Sequence, residues 1–315
     1  MIATKQSRVF NRPLLMASFI AAMFLTVVHD AESAPVDGAM APSKWSPYIR
    51  GGYVHQFDSD LGDSGFEVDR FFVQGGVSYS AGPRRRIAFA VGAGRDKYDF
   101  SGDLGNENEP WDRIDQLRFS IPVTWGIDEQ WTVFAIPTLR FYGEAGADSG
   151  DSATGGALFA ASYRINDRLT LGPGIGVLSR LEDSASVFPL LIVDWKITDR
   201  LSLETGRGLA ATQGPGLNFN YRLSDAWNLG LGGRYESLRF RLDDKGVAAD
   251  GVGEDRSIPL YLNATYSHSR DMRLSVVAGV ELDGEIRLED EDGKRISKES
   301  YDAAPFLGVT FSARF

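Results

Sequence analysis

Strict alternation of apolar residues with small or polar ones runs through most of the chain and is clearest at its C-terminus. Gly, Thr, Ser and Arg separate the apolar residues of the last nine, which are Leu307, Val309, Phe311, Ala313 and Phe315. Successive side chains of a β-strand point to opposite faces, so the pattern predicts a strand with one apolar face and one small or polar face. What covers the apolar face decides the fold.

A short polar turn containing Asp precedes many of the alternating segments. Five segments share this form: GIDEQWTV (126–133), INDRLTL (165–171), ITDRLSL (197–203), LSDAWNL (223–229) and SRDMRL (269–274). Asp in a tight turn bonds its own backbone, and the alternation that follows indicates a strand. Longer acidic segments separate these turns, at about 58–65, 100–112, 144–153, 179–185, 207–214, 243–255 and 286–303. We therefore predict hairpins in which short turns alternate with longer loops.

This scheme predicts fourteen strands, and twelve is the alternative because residues 200–223 are short and rich in glycine. The predicted strands are 47–57, 66–80, 86–98, 113–126, 130–143, 154–165, 168–178, 186–196, 200–206, 214–223, 226–242, 256–267, 272–285 and 304–315. An even number of strands places both ends of the sheet on the side of the short turns.

The N-terminus has the pattern of an export signal. Lys5, Arg8 and Arg12 precede an apolar run over 14–28, and small residues follow it as far as Ala34. This pattern predicts a signal peptide with cleavage after the small residues, whereas an uncleaved anchor would need a longer apolar run. The expected regions are a cleaved secretory signal peptide at 1–34, a short periplasmic segment at 35–46 and a β-barrel at 47–315.

The apolar face could be covered by lipid or by protein, as in a soluble β-sandwich. Nothing after the N-terminus is long and apolar enough for a spanning helix, so a chain that enters a membrane must do so as a closed barrel. Aromatic residues gather beside the short turns, as at a lipid headgroup boundary. They are Tyr79, Trp125, Trp131, Tyr163, Trp195, Tyr221, Trp227, Tyr266 and Phe315. We therefore predict an all-β fold, a closed antiparallel transmembrane up-and-down β-barrel.

The signal peptide and the final strand GVTFSARF together resemble Gram-negative outer-membrane barrels. In that class a last strand ending in an aromatic residue is the assembly signal, which Phe311 and Phe315 would supply here, although Ala313 stands where a second aromatic is favoured. The ITDRLSL-type hairpins are similar to porin-like barrels and to those of the MetA-pathway type, associated with phenol degradation. The resemblance implies an outer-membrane location, contact with lipid and lipopolysaccharide, and insertion by the barrel-assembly machinery.

Composition and motifs argue against several other functions. The net charge of −10 argues against nucleic acid as a partner, and the absence of Cys excludes thiol metal sites. His55 lies near Asp58, Ser59 and Asp60, a set that could serve lipid ester hydrolysis, but the spacing does not place the groups in mutual reach. The glycines of GPGIGV are interpreted as small inward residues that keep a lumen open or let a strand bend. We expect no catalytic residue, no metal and no cofactor.

Charged residues on the inner face offer the main functional signal. By alternation the following residues point inward: Arg50, Arg70, Arg118, Arg140, Asp194, Glu204, Arg222, Arg234 and Glu236. They could form an eyelet that favours anionic or aromatic-acid solutes, or a structural ladder of ion pairs that fills the barrel. The leading prediction is a passive outer-membrane channel for small solutes with an Arg-containing lumen. The alternatives are a structural or surface-interaction barrel with a blocked lumen, and a lipid-active enzyme.

Overall fold

Each strand pairs with the next one along the chain, as short turns require, and the last strand pairs with the first. The computed structural model describes residues 44–104, 109–205 and 216–315. In it, strand β1 (Lys44–Leu61) runs antiparallel to β17 (Ala304–Arg314) over nine residue pairs, which closes the sheet into a barrel. The predicted signal peptide, residues 35–43 and the predicted 207–214 loop lie outside the described residues.

In the described part of the chain, seventeen strand segments build the wall, and three wall strands are each interrupted once. The remaining segments are β2 (Ser64–Ser80), β3 (Arg85–Ser101), β4 (Arg113–Ser120), β5 (Val123–Gly126), β6 (Trp131–Glu144), β7 (Ala153–Asn166), β8 (Leu169–Arg180), β9 (Asp183–Lys196), β10 (Leu201–Thr205), β11 (Gly216–Arg222), β12 (Trp227–Arg234), β13 (Glu236–Arg241), β14 (Val252–Ser267), β15 (Met272–Glu289) and β16 (Arg295–Tyr301). The pairs β4/β5, β12/β13 and β16/β17 each form one wall strand, so the prediction of a closed fourteen-stranded barrel is confirmed.

The strands extend much farther at one end of the barrel than at the other. We call the end with the β1–β2, β8–β9, β13–β14 and β15–β16 hairpins the mouth, and the opposite end, with the short turns, the turn end. At the mouth, much of the sequence predicted as acidic loop is strand: β15 continues to Glu289, and β16 covers 295–301. That part of the prediction is wrong because charge does not prevent strand pairing. Lys298 on β16 pairs with Glu285 on β15.

Pairing is uneven around the wall. Strands β8 and β9 share eleven residue pairs, whereas β9 and β10 share three in the described residues, between 194–196 and 202–204. The Thr205 hydroxyl extends this contact by bonding to the backbone N–H and C=O of Val193, at 2.8 and 3.4 Å. As far as the described residues extend, the β9–β10 contact is therefore a short seam. Within the described residues, no helix has the length and apolar character needed to cross a membrane.

The outward positions of the strands carry large apolar side chains that no protein covers. Phe71, Leu191 and Leu262 are 54, 63 and 62% exposed, and similar residues occupy alternate positions around the wall. Exposing a Leu or Phe side chain to water costs about 1.5–3 kcal/mol, so a continuous band of this kind belongs in an apolar solvent. The geometry is that of an outer-membrane-type β-barrel.

Aromatic side chains lie together at the turn end. Trp45 packs on Tyr79 with ring centroids 4.8 Å apart, and Trp131 packs on Tyr163 at 4.9 Å. Trp227 and Tyr266 form a third pair, and the Arg85 guanidinium lies 4.1 Å from the Trp125 ring centroid. The other aromatics of the predicted set, Trp195, Tyr221 and Phe315, are exposed near the same turns. Trp45, which precedes the predicted start of the first strand, was missed.

Gly176 of the GPGIGV motif, predicted to be a small inward residue that keeps a lumen open or lets a strand bend, is covered by a neighbouring ring. A Cβ on Gly176 would lie 2.1 Å from the Phe188 ring, which covers the glycine from the neighbouring strand β9. Phe188 is 2% exposed and belongs to an apolar cluster on the inner wall with Ile136, Leu158 and Leu178. The missing side chain at Gly176 therefore makes room for the ring of Phe188.

Gly176→Ala should destabilise the barrel by about 1–3 kcal/mol, the usual cost of overpacking, because the Phe188 ring has to leave its position. Urea unfolding of the protein refolded in detergent micelles would measure the change. Gly75→Ala is the matched control, since its Cβ meets only the Tyr48 carbonyl oxygen at 3.9 Å. Equal unfolding midpoints for the two variants would contradict this account.

The repeated Asp residues were predicted to form turns, and this is confirmed at Asp128. Its carboxylate accepts hydrogen bonds from the backbone N–H groups of Trp131 at 2.7 Å and Gln130 at 2.8 Å. These two N–H groups lower the pKa of Asp128. A lowered folded-state pKa contributes stability above the unfolded-state pKa, and this contribution is lost as the pH falls through the folded-state value.

Asp128→Ala should therefore be less stable than the unaltered protein at neutral pH, and the difference should narrow in acid. Unfolding curves in detergent at several pH values would measure it. Asp128→Asn keeps the oxygen acceptor without the charge, so it should lie between the two and lose the pH dependence. A stability difference that stays constant from neutral to acidic pH would show that the charge of Asp128 is not involved.

Candidate functional site inside the barrel

Arg70 on β2 lies inside the barrel, because its partners belong to strands that are not its neighbours. Its guanidinium donates to Glu281 on β15 at 2.9 Å and to Asp255 on β14 at 3.3 Å. The Tyr98 hydroxyl donates to Asp255 at 2.8 Å, and the Tyr301 hydroxyl lies 3.1 Å from Asp255 and 3.2 Å from Glu281. Arg70, Asp255 and Glu281 are all buried. We call these five residues the cross-barrel ladder.

Three further charged residues, Arg234, Glu236 and Asp96, lie near this ladder. Arg234 and Glu236, on either side of the interruption between β12 and β13, form an ion pair, and the Arg234 guanidinium lies 5.1 Å from the Tyr261 ring centroid. Asp96, the cross-strand partner of Arg70, accepts a hydrogen bond from the Gln116 amide at 2.8 Å. Arg70, Arg234 and Glu236 of the predicted set therefore lie in ion pairs, the arrangement expected of a structural ladder.

Three other predicted arginines share one row of the inner wall. Direct cross-strand pairing runs from Arg50 through Gln74 and Gly92 to Arg118, and from Arg118 to Arg140. We call Arg50, Arg118 and Arg140 the arginine row. Arg50 donates to the Gln74 side-chain oxygen at 2.7 Å.

Tyr142 lies between two members of the arginine row. Arg118 hydrogen-bonds to the Tyr142 hydroxyl, and the guanidinium carbons of Arg118 and Arg140 lie 5.5 and 5.6 Å from the centre of its ring. Cation–π contacts of this kind favour both cations while leaving their charge in place. Arg118 and Arg140 therefore both contact Tyr142 on the inner wall.

The remaining predicted charges lie nearer the turn end. Asp194 and Glu204 are direct cross-strand partners on β9 and β10, and Asp194 is adjacent to Trp195 of the aromatic level. Arg222 is exposed and donates to the backbone carbonyl of Asp199 in a turn. The structure therefore does not bring Asp194, Glu204 and Arg222 into the arginine row or the ladder.

An aromatic core fills the barrel at the mouth. Trp111 is 2% exposed and packs edge-on against Phe240, Tyr98 and Phe100, with ring centroids 5.0, 5.6 and 5.8 Å away. Phe240 comes from β13, which leans across the opening until Arg241 pairs in parallel with Gly143 on β6. We call the buried cluster around Trp111 and Phe240 the mouth core. The mouth core also includes Leu61, Phe66, Val68, Ile114, Tyr142, Leu242, Ala248, Ile286, Leu288, Tyr301 and Ala304.

The inner face is different toward the turn end. Many of its side chains there are small, polar and partly exposed, such as Ser78, Thr124, Thr132, Thr265 and Ser312, and the charged Asp194 and Arg222 lie among them. Among the described residues, the mouth half of the interior is therefore more completely packed than these positions of the turn half. The arginine row lies between these two halves.

His55 and Ser59 do not form a catalytic pair. The His55 imidazole lies 2.8 Å from the Asp69 carboxylate on the outer side of the wall. Ser59 is buried, and its hydroxyl donates to the backbone carbonyl of Asp302 at 2.9 Å. Ser59 therefore has neither a base nor an open face for substrate. Within the described ranges, no group of three or more His, Asp or Glu residues is placed to hold a metal ion.

Sequence reasoning missed the partners of these charges. Asp255 was predicted to end an acidic loop, yet it lies in β14, and Glu281 and Tyr142 were not singled out. Tyr142 shares a face with Arg140 by alternation, so that signal was present in the sequence. Contacts between distant strands leave no local signal, because they depend on the closure of the barrel.

Comparison with known proteins gives one family match. The model of the family described as "Domain of unknown function (DUF6268)" matches residues 66–314. No curated protein matches the chain.

Solved structures give matches of low identity. An outer membrane channel from Pseudomonas putida F1 is 9% identical, with 88% of this chain and 97% of that chain covered and a TM-score of 0.48. A Pseudomonas aeruginosa FadL homologue is 10% identical, with 87 and 89% covered and a TM-score of 0.47. The P. putida toluene transporter TodX is 11% identical, with 87 and 91% covered and a TM-score of 0.41.

Proposed function

The chain belongs to the family described as domain of unknown function (DUF6268), and for this member we propose a passive outer-membrane channel for small solutes. After export with a cleaved signal peptide, it would insert into the outer membrane of a Gram-negative bacterium with the help of the barrel-assembly machinery. Lipid and lipopolysaccharide would then surround the wall, and the aromatic residues of the turn end would meet the periplasmic headgroups.

The contrast between the two faces of the wall carries this proposal. Outward positions such as Phe71 and Leu191 are large, apolar and exposed, whereas inward positions at the turn end, such as Thr124 and Thr132, are small and polar. Water can occupy an interior of this kind, and charged side chains that face it can set the preference for ions and solutes. The arginine row, in the middle of the interior, would favour anions.

Conductance of the pure refolded protein in planar lipid bilayers tests the proposal. We expect step currents with a preference for anions, and Arg118→Glu should shift that preference toward cations. Bilayers that receive the heat-denatured protein serve as the control. Correctly folded protein that gives no steps, in the native form or with an altered mouth core, would overturn the channel function. A processed chain that stayed monomeric in buffer without detergent would overturn the membrane location as well.

The mouth core favours a second function, that of a barrel with a blocked lumen. Trp111 and Phe240 would close the interior at the mouth. The hairpins of the mouth would then act by binding partners at the cell surface. The two functions differ in what happens when the core is opened. A channel closed by the mouth core begins to conduct, whereas a barrel blocked along its whole length does not.

A further inference from the structure

We infer that the inner wall of β10, β11, β12, β14 and β15 binds a neutral polyhydroxy solute of the sugar class. This inference rests on the proposed function, because it names a solute class for the same interior. Binding can nevertheless be measured on protein that does not conduct, so the two proposals can fail separately.

Six uncharged polar residues lie together on this part of the inner wall. The exposed side chains of Phe219, Leu229 and Leu262 mark the outer face of three of these strands, so the residues next to them in sequence face inward. Direct cross-strand pairing runs from Ser202 through Asn220 and Gly230 to Asn263, and in the adjacent inward row from Asn228 through Thr265 to Ser275. We call Ser202, Asn220, Asn228, Asn263, Thr265 and Ser275 the amide patch. All six are partly exposed, so a solute inside the barrel can reach them.

Two amides of the patch have hydrogen-bonding capacity that the protein does not use. Among the described residues, the side-chain oxygens of Asn228 and Asn263 have no hydrogen-bond partner. Asn218, one inward position closer to the mouth, differs, because it is buried and its oxygen accepts a hydrogen bond from the Tyr261 hydroxyl at 2.6 Å. Leaving a polar group without a partner is costly, so groups from outside the protein have to complete the hydrogen bonds of Asn228 and Asn263.

Gly230 allows two amides of the patch to converge. A Cβ on Gly230 would lie 1.9 Å from the side-chain oxygen of Asn263 and 3.3 Å from that of Asn220. The amides of these two residues, from the strands on either side, therefore lie across the space that a larger residue would fill. They form a polar platform at the centre of the patch.

The chemistry of the patch matches hydroxyl groups. An amide offers both donors and an acceptor, and a hydroxyl group can pair with either. An apolar solute would leave the amides unpaired, and a charged solute would lose hydration without meeting an opposite charge within the patch. The charged residues that border the patch carry both signs: Lys196, Arg222 and Arg273 are positive, and Asp194 and Glu204 are negative.

The length of the patch indicates a solute with more than one sugar ring. The patch crosses five neighbouring wall strands, from β10 to β15. Neighbouring strands lie about 4.8 Å apart, so the patch extends roughly 19 Å along the wall. A single ring can contact only part of this length, whereas a chain of several rings can lie along most of it.

Isothermal titration calorimetry with maltotriose as the probe tests the inference, on protein in micelles of a detergent that has no sugar headgroup. Glucose supplies a single ring, and a poly(ethylene glycol) of the same mass supplies ether oxygens but hydroxyl groups only at its ends. We expect maltotriose to bind more tightly than either. Asn228→Leu and Asn263→Leu should each weaken maltotriose binding about threefold to tenfold, since each removes hydrogen bonds between neutral groups. Thr132→Val removes an inward hydroxyl on β6, outside the patch, and should leave binding unchanged.

Three results would overturn the inference: equal binding of maltotriose and the poly(ethylene glycol), equal losses for Thr132→Val and Asn263→Leu, or no detectable binding by the folded native protein, which would mean that water alone completes the amides. Circular dichroism of each variant would show that the barrel is intact, and Asn263→Ala is the second variant should the leucine variant not fold. Step currents without maltotriose binding would leave the channel in place and remove this solute class. Maltotriose binding by a protein that gives no steps would support the amide patch and remove the channel.

Discussion

Trp111→Ala should give single-channel current steps several-fold larger than those of the unaltered protein. The Trp111 ring is 2% exposed and contacts three other aromatic rings of the mouth core, so its removal leaves a large gap where the interior is closed. Water can enter this gap from the interior and from the mouth. Single-channel recording in planar bilayers would measure the effect.

Two variants make this result specific. Trp111→Phe keeps a ring in the core and should conduct nearly as the native protein does. Phe119→Ala removes a ring from the outer face, where it packs against Phe141 with centroids 6.4 Å apart, and should not change the current. Loss of a core Trp costs about 3–5 kcal/mol of stability, so Trp111→Leu, a smaller reduction, is the second test should the alanine variant unfold. Unchanged currents in the folded variants would show that the mouth core does not limit conduction.

Arg70→Leu should lower the free energy of unfolding by about 3–5 kcal/mol, because it leaves the buried carboxylates of Asp255 and Glu281 without their cation. Both carboxylates are at most 5% exposed, and the hydroxyl groups of Tyr98 and Tyr301 cannot supply a positive charge. Urea unfolding in detergent micelles, followed by tryptophan fluorescence, would measure the loss.

Arg95→Leu is the matched control. Arg95 lies on the outer face and pairs with Asp115 at 2.7 Å, but the two side chains are 54 and 43% exposed. An exposed pair contributes about 0–1 kcal/mol, so the control should unfold close to the native protein. Replacing Arg70, Asp255 and Glu281 together by Leu should recover part of the stability lost by Arg70→Leu, because the two carboxylates that Arg70 pairs with are then removed with it, while Asp96 keeps its hydrogen bond from Gln116. Equal losses for Arg70→Leu and Arg95→Leu would mean that the cross-barrel ladder does not stabilise the fold.

The strands of the barrel wall could be predicted from sequence, whereas the side-chain contacts in its interior could not. Strand positions follow from alternation and turn residues, which are local, and fourteen wall strands result from them. The inward direction of Arg70 is equally local. Its partners, Asp255 and Glu281, lie 185 and 211 residues away, and only closure of the sheet brings them within reach.

The mouth shows a different reason for error. A charged segment such as 286–303 was interpreted as loop because charge usually marks solvent. In β15 and β16 the charges instead pair across the strands, as Glu285 does with Lys298, so the strands continue beyond the apolar band. Trp111 was not singled out, since its sequence neighbours give no sign that Phe240 would reach it from across the barrel.

The short seam between β9 and β10 affects how the wall moves. A cooperative β-sheet opens first where the fewest hydrogen bonds must break together, and the free energy of such local opening can be far below that of global unfolding. Backbone amide protons on either side of this seam should therefore exchange with deuterium ahead of those between β8 and β9. Within the described residues, strand length makes this seam a preferred line of local opening, and the direct cross-strand pair of Asp194 and Glu204 lies within it.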